Sequence, residues 1–217
     1  MNSTIKSFLV IFFVSISSIK AQVTLTYLNK YTLTSVPEPS GLAFDKVNNQ
    51  LFTVSDTGNI YRISTTGALL STYVFPGDLE GVSMFNTPNT LLVAIEDTYK
   101  LVEYNYVTGT SVQHTMSYVN KNDPGSGIEG VTYDPIGNKI YFLNEKNPGA
   151  LIVANSSFIV TNEYVLGFAG DYSASDYVPE TGLLWLGSDQ DSKVYICNTT
   201  GAVLQSIKIT TNGLTTG

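Results

Sequence analysis

The chain has 217 residues, 43% of them hydrophobic and only 13% charged, with 14 Tyr, 10 Phe and 18 Gly. That composition excludes a disordered or collagen-like protein and suits one large all-β domain. The formal charge of −7 argues against nucleic acid and anionic lipid as partners and is compatible with binding cations.

In sequence order, the first predicted element is a secretory signal over residues 1–21. Lys6 supplies a short basic start, "FLVIFFVSIS" (8–17) is the apolar stretch, and Ala21 ends it with a small residue. The apolar run is shorter than the roughly 20 residues a membrane span needs; a retained N-terminal anchor is the alternative. Cleavage would remove Lys6 and Lys20 and take the mature protein, 22–217, to −9. The protein is therefore expected to be exported: periplasmic, envelope-associated or extracellular in a bacterium, with no transmembrane span after signal cleavage. Cys197 is the only cysteine, so no internal disulfide is available and the core itself must hold the fold. "VYIC" places it on a strand as a buried, inert thiol. His114, the only histidine, falls in the alternating run "TSVQHTMSYV", read as an outer strand.

Four segments then repeat: "SGLAFDKVNNQLFTVSD", "EGVSMFNTPNTLLVAIE", "EGVTYDPIGNKIYFLNE" and "SASDYVPETGLLWLGSD", starting at Ser40, Glu80, Glu129 and Ser173. Each reads as strand, polar turn and strand. A third strand follows ("NIYRI", "KLVEYNY", "ALIVA", "KVYIC"), then a turn and a fourth strand, where "STTGALL" and "NTTGAVL" are near copies. Four strands in about 45 residues is the pattern of a β-propeller blade. "NKYTL" (29–33) resembles "NEYVL" (162–166), a fourth strand, so the N-terminal segment is expected to be the outer strand of a closing blade. The expectation is a propeller of four-stranded blades, five in number, with the closing blade incomplete and the sequence truncated at its C-terminus. Six blades are the alternative.

Each repeat ends 16 residues after it begins, at Asp56, Glu96, Glu145 and Asp189. A turn centred on Gly137 would set Glu129 directly opposite Glu145, with Tyr133 opposite Tyr141 and Val131 opposite Leu143. The same construction would set Glu80 opposite Glu96. Opposed like charges destabilise an antiparallel pair. With each first strand innermost, these carboxylates would gather at one mouth of a central channel. Three outcomes are open there: proton sharing with raised pKa values, a bound hard cation, or solvated groups capping strand ends. Ca²⁺ suits all-oxygen donors, and transition metals do not, with so little His or Cys. Glu80, Glu96, Glu129 and Glu145 are the candidate metal ligands, with Asp56 and Asp189 as possible additional residues of the mouth; no catalytic residue is assigned. Gly81 and Gly130 are expected to let the backbone turn into the channel strand, and Trp185 and the tyrosines to pack between blades.

The order "SGLAFD…LFTVSD…IYRI", "LEGV…E", "IEGVTYDP…IYFLNEKNPGAL", "LLWLGSDQDSKVYI" resembles the SdiA-regulated (YjiK/CarP) family over about residues 30–209. The resemblance implies an exported bacterial propeller related to NHL-repeat propellers, with a calcium site at positions matching Glu80, Glu129 and Glu145, Glu96 being a plausible addition. It implies no established catalysis. The expected function is a non-enzymatic calcium-binding scaffold for binding or signalling, with an unknown protein or small-molecule ligand. The alternative is a calcium-dependent hydrolase of lactonase, esterase or phytase type. Against that alternative, Arg62 is the only arginine and no Ser-His-Asp set can be built around His114.

Overall fold

A computed structural model describes residues 23, 26–120, 126–210 and 213–216; the predicted signal lies outside them. The described residues form strands, turns and irregular segments, and among them no helix is long and apolar enough to cross a membrane. The first blade is β1 (Pro39–Asp45), β2 (Gln50–Ser55), β3 (Ile60–Ser64) and β4 (Leu69–Tyr73). The second is β5 (Leu79–Met84), β6 (Thr90–Ile95), β7 (Lys100–Asn105) and β8 (Ser111–Thr115). The third is β9 (Ile128–Asp134), β10 (Lys139–Asn144), β11 (Ala150–Asn155) and β12 (Val160–Val165). The fourth is β13 (Ala174–Val178), β14 (Leu183–Ser188), β15 (Lys193–Cys197), β16 (Val203–Thr210) and a short fifth strand, β17 (Gly213–Thr216). Every blade is an antiparallel meander in sequence order, and no described strand crosses between blades.

The blades stack face to face, which explains their sequences. A strand in the middle of a blade is covered on both sides, so its apolar run need not alternate. All six residues of β6, "TLLVAI", are buried. One cluster between the first and second blades joins Phe52 and Val54 to Val82 and Val93. A second joins Leu92 and Leu101 to Val131 and Phe142. A third joins Tyr141 and Leu143 to Tyr177 and Leu184. Aromatic rings bridge each seam: Phe52 with Tyr106 at 4.7 Å, Phe85 with Tyr133 at 4.9 Å, and Tyr141 stacked on Tyr177 at 6.0 Å. Cys197 is fully buried in the third cluster, as expected of an inert thiol. His114 lies on the outer strand β8.

Several expectations are corrected. Four blades form among the described residues, where five or six were expected. Residues 29–33 form no strand; Tyr31 and Leu33 instead pack beside Gly67 in the β3–β4 turn, and Leu33 adds to a small cluster on the first blade's outer side. The hairpin register is one residue off the predicted pairing. Tyr133 faces Ile140 and Val131 faces Phe142, because the turn holds four residues, 135–138, and an even turn has no central residue. Asp134 accepts the Ile136 and Gly137 N–H groups, and Asn138 takes the left-handed conformation that closes the turn. Trp185 does not lie in a seam between described blades. It is the cross-strand partner of Asp176, while the neighbouring pair, Tyr177 and Leu184, faces the third blade.

Gly81 and Gly130 serve close approach rather than a bend. A Cβ on Gly81 would come within 2.2 Å of the Glu129 carbonyl oxygen, and one on Gly130 within 2.5 Å of the Ser175 nitrogen. Gly41 stands in the same relation to the Glu80 carbonyl oxygen. Inner strands β1, β5, β9 and β13 thus contact one another in succession, nearly backbone to backbone. The matching residue of the fourth blade is Ala174, which is exposed. Gly81→Ala is expected to cost about 3 kcal/mol or more of stability by overpacking, while Ala174→Gly costs less than about 1 kcal/mol. Urea unfolding of the two variants checks this, and equal losses would contradict it.

Candidate metal centre at the channel mouth

The acidic residues sit where the ladders are irregular. Between Leu79, which faces Ile95, and Val82, which faces Val93, the β5–β6 register shifts; Glu80 lies inside that shift. Glu129 lies inside the corresponding shift between β9 and β10, and Ser40 inside that between β1 and β2. A bulge re-aims the side chain on it. The even turns already take Glu129 out of register with Glu145, and Glu80 with Glu96, and the bulges add a further residue of offset. Glu80 still meets Glu96 within its own blade, and Glu129 joins them from the next.

Carboxylate oxygens of Glu80, Glu96 and Glu129 lie within 4.8 Å of one another. Asp56 and Asp78 form a second such group with Glu80, and Asp78 and Asp97 a third with Glu96. The Ser40 hydroxyl donates to Asp56 at 2.5 Å and also bonds Glu80. Gly127 N–H donates to Glu96 Oε1 at 2.9 Å. A Cβ at Gly127 would overlap Glu96, so glycine there permits the bond. Asp78, two residues before Glu80, binds the mouth together through its backbone, its carbonyl accepting the Glu96 N–H at 3.0 Å. Its Oδ1 is buried without a hydrogen-bond partner among the described residues.

Sequence reasoning missed Asp78 and Gly127. The signal for Asp78 was present in "GDLEG", since residues i and i+2 of a strand share a face; nothing local marks Gly127, whose partner is 31 residues away. Two predicted members stand apart. Glu145 is paired with Lys146 Nζ at 2.6 Å. Asp189 is exposed, and neither it nor Glu145 joins a group of three acidic side chains among the described residues. The fourth blade has Ser173 where the second and third have glutamate, so that blade adds no inner carboxylate.

The electrostatic cost of the cluster shows in its titration. Burial, then the charges of Glu80, Glu96 and Glu145, pushes the Glu129 carboxyl up to about 9. Burial pushes Glu80 up to about 7; the Ser40 hydrogen bond opposes the rise, and Asp56, Asp78 and Glu96 add to it. Glu96 is raised too, by burial and Asp78, against the Gly127 hydrogen bond. Glu80 and Glu129 hydrogen-bond each other, which requires a proton on one of them. Without a cation this mouth holds protons near neutral pH; with one, it could release them.

A carboxyl whose pKa is higher folded than unfolded favours the fold at low pH and loses that contribution as pH rises through the folded value. In chelator, the melting temperature should therefore fall between about pH 5 and about pH 9, and fall less in Glu129→Gln. A melting temperature flat over this range in the wild type would contradict the buried cluster.

A sequence profile of the SdiA-regulated family matches residues 17–212. No curated protein matches the sequence. Among solved structures, a chain from the crystal structure of a nidogen/laminin complex is similar with a TM-score of 0.59 at 15% identity, over 81% of this chain and 70% of that one. A likeness at that identity shows the fold alone: a β-propeller.

Proposed function

The chain belongs to the SdiA-regulated family, and we propose that it is an exported calcium-binding propeller serving as a non-enzymatic scaffold for binding or signalling. The observation that carries the calcium reading is the convergence of Glu80, Glu96 and Glu129 oxygens within 4.8 Å. The donors are all carboxylate oxygens, the chemistry Ca²⁺ takes. Asp56 and Asp78 can add oxygens from the side of the first blade, and the unpartnered Asp78 Oδ1 is the kind of atom a cation satisfies. Glu145, held by Lys146, is an outer neighbour in this reading rather than a ligand. The raised carboxyl pKa values support the same account, because a divalent cation offsets the repulsion that otherwise keeps protons in the mouth.

The hydrolase alternative has less behind it. Turnover of a phosphoryl or acyl group calls for cationic or hydrogen-bonding groups beside the metal. Arg62 instead donates to Ser71 on the neighbouring strand, and His114 is bound to Glu103 and stacked on Phe158 at the outer edge.

Calorimetric titration of the folded protein with CaCl₂ near neutral pH should show one stoichiometric site and proton release, with a raised melting temperature. Glu129→Gln should weaken binding by about tenfold or more, as loss of a charged ligand does. Folded wild-type protein that neither binds Ca²⁺ nor releases protons would remove the calcium reading.

A further inference from the structure

The acidic mouth has a counterweight in Lys146. Its Nζ donates to Glu145 Oε1 at 2.6 Å, with 36% of the lysine side chain and 14% of the glutamate side chain exposed. Among the described residues this is the one ion pair made by a lysine or arginine.

The main chain that carries the pair is fixed from two sides. Ser126 Oγ accepts the Lys146 N–H at 3.2 Å and donates to the Lys146 carbonyl oxygen at 3.3 Å. Asn144 Nδ2 donates to the carbonyl oxygens of Lys146 and Pro148, and its Oδ1 accepts the Tyr118 hydroxyl. Ser126 and Asn144 are both buried, so a braced main chain and not a loose loop presents the lysine. The residue after Ser126 joins this frame to the mouth. The Gly127 carbonyl accepts the Glu145 N–H at 3.1 Å, and the Gly127 N–H donates to Glu96 Oε1 at 2.9 Å. Glu145 thus sits one residue's backbone from a candidate ligand, yet outside the group whose carboxylate oxygens converge. Its charge helps to raise both Glu129 and Glu96, so it acts on the mouth without belonging to it.

A negative charge near a cation site strengthens the attraction for the ion even when it does not coordinate, and neutralising that charge weakens it. At a partly buried site salt screens the effect less than between exposed charges. We propose that Lys146 sets the calcium affinity of the mouth: by neutralising Glu145, it holds the site weaker than its carboxylates alone would make it. The inference rests on the calcium reading and adds to it a residue that controls the ion without touching it.

The test is calorimetric titration with CaCl₂ of the wild type, Lys146→Met, Glu145→Gln and the double variant, each shown to be folded by circular dichroism. Lys146→Met leaves Glu145 charged and should bind about threefold or more tighter than wild type. Glu145→Gln leaves Lys146 charged and should bind about threefold or more weaker. The double variant has lost both charges and should return to within about twofold of wild type. The gain in Lys146→Met should shrink at high salt, which a change in packing would not produce. Calcium binding by wild type with Lys146→Met unchanged or weaker, or a double variant as tight as Lys146→Met, would overturn the inference and leave the calcium reading standing. Folded wild type that binds no Ca²⁺ would overturn both.

Discussion

The approach of one inner strand to the next, with only a glycine between backbones, is the constraint on which the rest depends. At Gly41, Gly81 and Gly130 a single methyl group would strike the neighbouring main chain. This closeness narrows the channel and sets the blade faces against each other, so that central strands bury both sides. It also sets the positions of the residues just before those glycines, Ser40, Glu80 and Glu129. The residue type that makes the seams tight therefore also draws the acidic side chains together.

Close packing of carboxyls is expensive, and the protein meets the expense locally. Even turns and bulges together shift Glu80 and Glu129 out of register with Glu96 and Glu145. Ser40 and the Gly127 N–H donate into the cluster, and Lys146 neutralises Glu145. What remains is an excess of negative charge over donors. In the proposed function that excess is the means of holding a divalent cation, and proton sharing is its substitute when the cation is absent.

Much of the fold was legible because it is written as period. The strand order, the blade repeat, the buried Cys197 and the outer-strand His114 all follow from alternation and turn chemistry. The register was not legible to one residue, since an interval of 16 does not reveal whether a turn is odd or even; even turns form in all four hairpins, with a bulge in the first three and none in the fourth. Glu80, Glu96 and Glu129 were found by their repeated spacing. Asp78 and Gly127 were not, because their roles arise from contact between elements and not from spacing within one. Asp189 misled for the converse reason: it keeps the spacing, but Asp56 and Glu96 each meet the glutamate that opens the next blade, and among the described residues no blade follows the fourth. The N-terminal "NKYTL" shows the same gap between pattern and structure, since a strand-like sequence becomes a strand only where a neighbour offers its backbone.

The most direct test of the account is long-wavelength anomalous diffraction from crystals grown with millimolar Ca²⁺. The account predicts one calcium peak at coordinating distance from Glu80, Glu96 and Glu129, with Asp78 turned toward it. No peak at the mouth, with the Glu80 and Glu129 carboxyls still hydrogen-bonded to each other, would contradict it and leave proton sharing as the means by which this channel tolerates its charge.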